Sequence, residues 1–148
     1  MAWVQYDKYQ ESLMNQVSAI DHDDNSTTTI KIAFVTSTYT PNRATHDFFD
    51  DVNTNEVTGT NYTAGGNEVG TKTVTTATNV TTFDANDPAT WSQSGAGFSN
   101  ARYAILYKDT GTASTSPLIA YHDFGSDKGN VDGDLTIQLD SAGIATIS

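Results

Sequence analysis

The chain has 148 residues, of which 36% are hydrophobic and 17% charged, with no cysteine and a formal charge of −11 at neutral pH. This length suits a single domain over 1–148 that can bury a continuous core. Without cysteine there is no disulfide framework and no thiolate metal site, and the acidic balance argues against nucleic acid as a partner, because that needs clustered Lys and Arg.

About one residue in six is threonine, a β-branched type that suits the solvent face of strands. β-Branched and aromatic residues are too frequent for a disordered chain. No apolar run approaches the length of a membrane span, so no membrane partner is expected. The opening MAWVQYDKYQ lacks the basic-then-apolar order of a signal peptide, so synthesis in a cytoplasm without evident export is expected.

In chain order, Trp3, Tyr6, Tyr9 or Gln10, Leu13, Val17 and Ile20 recur at three- and four-residue steps. That period predicts one amphipathic N-terminal helix over about 4–17, with Asp7 and Glu11 placed to suit its dipole. After the polar DHDDNSTTT, the segment TTIKIAFVTSTYT alternates, with Ile30, Ile32 and Phe34 on one face. Ala33 and Val35 predict that its second face is covered too.

Pro41 ends that strand, and Thr45 is the expected N-cap of a short helix over His46 to Asp51, anchored by Phe48 and Phe49. A glycine-rich stretch follows, with a tight turn at Gly65–Gly66 and one strand. TKTVTTATNVTTFDA predicts two short strands or one bent strand, with Phe83 in the core, and the next loop carries Trp91 and Phe98.

The segment 101–127 reads as a hairpin. Tyr103, Ile105 and Tyr107 lie on one face, and Ala104 and Leu106 on the other. DLTIQLDSAGIATIS predicts a second, C-terminal hairpin through Leu135, Ile137, Leu139, Ile144 and Ile147. The expected class is mainly β: an antiparallel β-sandwich or jelly-roll-like barrel over about 28–148, with the N-terminal helix and one short helix.

The search for chemistry is largely negative. DHDDN spaces Asp21, Asp23 and Asn25 like the start of a calcium loop, but Ser26 replaces the required glycine and Ile32 the closing acid. Asp127, Asn130, Asp132 and Asp134 could gather a hard cation, although acids beside glycines are also what a turn requires. His22, His46 and His122 lack the spacing of a zinc helix, and His122 and Asp123 point to opposite faces of a strand. There is no nucleophile elbow and no phosphate loop, and the only glutamates outside the helix are Glu56 and Glu68. No catalytic, cofactor-binding or metal-binding residue is assigned, and the chain is read as a non-enzyme.

Several stretches, taken in order, carry a resemblance: YDKYQESLMNQ, TIKIAFVTSTYTPNRATHDFFDDV, EVTGTNYTAGGNEV, TTFDANDPATW, ARYAILYKDTG, SPLIAYHDFGSD and GDLTIQLDSAGIATIS. Together they cover almost the whole length, and the chain resembles a family of small virion structural proteins of tailed bacteriophages. The resemblance implies a capsid decoration or cement protein on the capsid exterior, made in the host bacterial cytoplasm. The implied partners are the major capsid protein and further copies of itself, first as a homotrimer and next as a dimer.

Binding is expected in the N-terminal helix and the capping loops, through Trp3, Tyr6, Tyr9, Asn42, Arg43, Phe48 and Phe49. The alternative is a tail-associated or adhesin-like module that grips a host surface glycan or protein. Its sign would be a stacking aromatic such as Trp91 beside acids at a loop end.

Overall fold

The computed structural model describes residues 1–15 and 20–148. Among the described residues the protein is mainly β, with two antiparallel sheets, consistent with a β-sandwich, and one α-helix. The strands are β1 (Val4–Gln5), β2 (Thr29–Val35), β3 (Asn67–Glu68), β4 (Lys72–Ala77), β5 (Val80–Ala85), β6 (Ala101–Asp109), β7 (Leu118–Lys128) and β8 (Ala145–Ile147). Helix α1 spans Asp7–Asn15, and 3-10 turns occupy Phe49–Asp51, Asn53–Asn55 and Ala113–Thr115.

The larger sheet has the order β1-β7-β6-β2-β3. Its centre is the β2–β6 ladder, which runs from Thr29↔Asp109 to Val35↔Tyr103. Ile30, Ile32, Ala33, Phe34 and Val35 are all fully buried, so both faces of β2 are covered, as its composition predicts.

On one face Phe34 is surrounded by aromatic rings, with Trp91 at 4.4 Å, Phe98 at 5.7 Å, and Tyr62 and Phe124 at 6.0 Å. On the other face Phe49 stacks on Tyr107 at 4.0 Å, and Tyr39 meets Tyr103 edge-on at 5.8 Å. These stacked, tilted and edge-on contacts bury the area of each ring.

Hairpin β6–β7 forms as the alternation predicts, with a slip between Tyr103↔Asp123 and Ala101↔Lys128. The extra β7 residues form a bulge at Gly125, whose φ is 73°. Phe124, next to this bulge, lies on the same face as His122 and Ala104 and meets Phe34.

The smaller sheet, β4-β5-β8, shares the same core through Phe83, Ala85, Ile144 and Ala145. Thr78 and Asn79 join β4 to β5 with φ of 52° and 64°, the two-residue turn whose twist matches paired strands. Phe83 is buried, as expected.

Three expectations need correction. The helix begins at Asp7 and not at Val4, because Val4 and Gln5 pair with Tyr121 and Ala120 as an edge strand; Val17 lies outside the described residues. The segment 46–51 is a single 3-10 turn whose first position follows Phe48, so Thr45 caps nothing. The carboxylate of Asp51 instead accepts from the backbone of Asp47 and Phe48. The C-terminal hairpin does not form either: Leu135 makes one bridge to Trp91, and Ala145–Ile147 pairs with β5. Periodicity marked these residues as apolar, but it cannot name a strand's partner.

Candidate interaction surface

Helix α1 and the loop 42–51 are built into one ridge. Asp7 N–H donates to the Arg43 carbonyl at 3.0 Å, and the Arg43 guanidinium donates to the Asp7 carboxylate at 2.7 Å and to the Gln5 carbonyl at 3.0 Å. Beneath them the Tyr6 and Tyr39 hydroxyls share a 2.8 Å hydrogen bond, and Tyr39 meets His46 Nδ1 at 2.8 Å. Burial, with the nearby acid Asp51, pushes the Tyr39 phenol up to about 12, so it stays a neutral hydrogen-bonding group.

The far side of the loop is fixed to the start of β7. Phe49 N–H donates to the Ser116 carbonyl and Leu118 N–H to the Asp47 carbonyl, both at 2.9 Å. Between helix and loop lies an open cleft of about 160 Å³, lined by Lys8, Glu11, Ser12, Asp47, Phe48 and Pro117 among others. Burial beside Asp51 and Asp50 raises the Asp47 carboxyl above the usual range.

The residues expected at an interface divide in two. Tyr6, Tyr9 and Phe49 are core residues, at 0%, 5% and 7% exposure, and present no surface. An aromatic on a short helix that closes a sandwich is the nearest large apolar group to the sheet, so packing takes it inward. Trp3, Asn42, Arg43 and Phe48 do reach the surface to different degrees. Trp3 packs on His122 at 6.1 Å, and its buried indole N–H has no partner among the described residues. The Asn42 carboxamide accepts from Ala44 N–H in a local turn.

The chain matches no family model, no curated protein and no solved structure.

The other side chains singled out from the sequence hold loops in place. His22 Nε2 bonds the Tyr9 hydroxyl at 2.8 Å and its ring meets Phe83 edge-on at 4.8 Å, so it links α1 to the smaller sheet. His122 Nδ1 bonds the Ala2 carbonyl at 2.6 Å. Glu56 accepts from the Tyr62 hydroxyl at 2.5 Å and from Gly65 N–H at 2.6 Å.

Asn130 is fully buried: it donates to the carbonyls of Thr60 and Ser92 and accepts from Phe98 N–H. The Asp134 carboxylate accepts from Gln93 N–H. Among the described residues, no group of three or more His, Asp or Glu side chains is placed to hold a metal ion. Trp91 is 1% exposed, so it cannot act as a stacking platform for a glycan.

One surface went unnoticed in the sequence. β4 is exposed from Thr73 to Ala77, with neither face of the strand covered. Its signal was available: residues 73–83 carry no charged side chain in a chain whose net charge is −11.

Proposed function

We propose that this protein is a structural virion component that binds the outside of a phage capsid and cements neighbouring capsomers without chemistry. The observation that carries the reading is the ridge of α1 and loop 42–51. It is fixed by hydrogen bonds on both flanks before any partner arrives. A preorganised surface loses little ordering entropy on binding, which suits a clamp that must hold against internal pressure. The resemblance along the chain supplies the partner, the major capsid protein. Repeated copies on a symmetric shell multiply a modest contact through effective concentration.

The test is cosedimentation with capsids stripped of the protein, with light scattering on the free protein. Saturable binding at a symmetry-matched stoichiometry supports the reading, and indifference to capsids removes it. The contact is then mapped with Phe48→Ala and Asn42→Ala. Deleting residues 1–12 would be a poor probe, because it removes Tyr6 and Tyr9 from the core. The adhesin-like alternative has no specific observation in its favour, since its stacking aromatic is buried.

A further inference from the structure

Strand β4 has an outer edge that its own chain leaves half paired. Ala77 and Val80 flank a two-residue turn and so form a hydrogen-bonded pair, which makes Thr73, Thr75 and Ala77 the residues bonded to β5. The N–H and C=O groups of Lys72, Val74 and Thr76 therefore point away from the sheet. At Lys72 the Asn25 side chain takes the place of a neighbouring strand. Its Oδ1 accepts from Lys72 N–H at 2.7 Å and its Nδ2 donates to the Lys72 carbonyl at 2.9 Å. At Val74 and Thr76 no such group is present among the described residues.

Open edges of this kind are usually blunted by a charge, a proline or a bulge, because they invite pairing with another chain. Between Thr73 and Ala77 there is none of these. Val74 is also 39% exposed.

We propose that β4 pairs antiparallel with β4 of a second copy, about a two-fold axis through Thr75, to form one continuous six-stranded sheet. The register follows from the open groups. Val74 faces the partner's Thr76 and Thr76 faces the partner's Val74, each pair exchanging both N–H···O bonds. Thr75 faces its own equivalent in a pair without hydrogen bonds, and Thr73 faces the partner's Ala77. Such a strand is self-complementary, as a two-fold contact requires.

Charge selects the occupant. Two chains of net charge −11 repel over most of their surfaces, but the paired segments carry no charge at all. A strongly basic partner strand would find no complement here. The area is well below the roughly 1,200 Å² of a stable complex, so the association is weak and concentration-dependent. The contact is separate from three-fold self-association and stands whether or not the capsid reading does.

Trapping tests it, helped by a chain without cysteine. In an antiparallel pair without hydrogen bonds the Cα atoms lie about 4.5 Å apart, within disulfide reach. Thr75→Cys is predicted to form a covalent dimer in oxidised glutathione at least tenfold faster than Thr73→Cys or Ala77→Cys alone. Mixing the Thr73→Cys and Ala77→Cys proteins should restore the fast rate as a heterodimer, which keeps the test open if Thr75→Cys folds poorly. Equal, slow cross-linking of all three variants and of the mixture would overturn the proposal. So would rates that do not rise with protein concentration. Neither result bears on capsid binding.

Discussion

Individual residues in this protein act mainly by filling space or by closing hydrogen bonds that loops leave open. Phe34 is the centre of its core face, so Phe34→Ala should cost about 3–5 kcal/mol, measured as a lower denaturant midpoint with an unchanged slope. Asn130 joins three loops with no exposure at all. Asn130→Leu leaves buried backbone groups unpaired and should cost at least about 2 kcal/mol.

His22 sets a pH dependence. Burial drives its pKa below the ordinary 6.5, although the Ile20 carbonyl, Asp21 and Asp23 oppose the shift and Lys108 adds to it. The unfolded chain therefore takes up this proton before the folded one does, and stability falls as pH drops below about 6.5. His22→Gln should flatten melting temperature between about pH 7 and about pH 5. An unchanged slope would mean that other groups set it. Asp123 and Asp109, held below the usual carboxylate range, act in a lower window: Asp123 through the Arg102 guanidinium, and Asp109 because its burial, which raises it, is outweighed by the Lys31 ammonium and the Gly111 N–H together.

At the scale of elements, the turn between β4 and β5 is the most improvable. Thr78 holds a φ of 52°, a conformation that costs a β-branched residue about 1 kcal/mol. Thr78→Asn should raise stability by about that amount in equilibrium unfolding. Gly66 is the opposite case: a Cβ there would sit 1.9 Å from the Ile32 carbonyl oxygen, against β2 backbone. Gly66→Ala should destabilise strongly.

The strands β2, β6 and β7 were legible from their runs of apolar, β-branched and aromatic residues, although β2 and β6 are covered on both faces and β7 is buried only at its start. The N-terminal period was legible but its start was not. Trp3 and Tyr6 fit a helix and an edge strand equally well, and the choice rests on β7, more than a hundred residues away. The proposed interface was less legible still, because aromatics that suit a binding surface suit a core as well, and Tyr6, Tyr9 and Phe49 went inward.

For the whole molecule, net charge and shape act together. Self-repulsion at −11 is screened by salt over a distance of about 8 Å at physiological ionic strength. Raising salt should therefore speed the cross-linking of Thr75→Cys, since the charges that oppose encounter lie outside the uncharged edge. A rate that fell with salt would point to ion pairs at the contact.

The strand order also constrains how the protein is made. β2 finds its partner β6 only after some seventy further residues have been added, and β5 gains β8 only at Ala145–Ile147. A ribosome thus releases the β4–β5 hairpin, complete at Ala85, long before its one neighbouring strand, β8, begins at Ala145. During that interval its uncharged threonine-rich edges are open on both sides, in a polysome crowded with identical hairpins. Asn25, already synthesised, can close one end of the outer edge at once. On the nascent chain, a side chain that serves as a strand substitute in the finished fold acts as an early guard against pairing with the wrong copy.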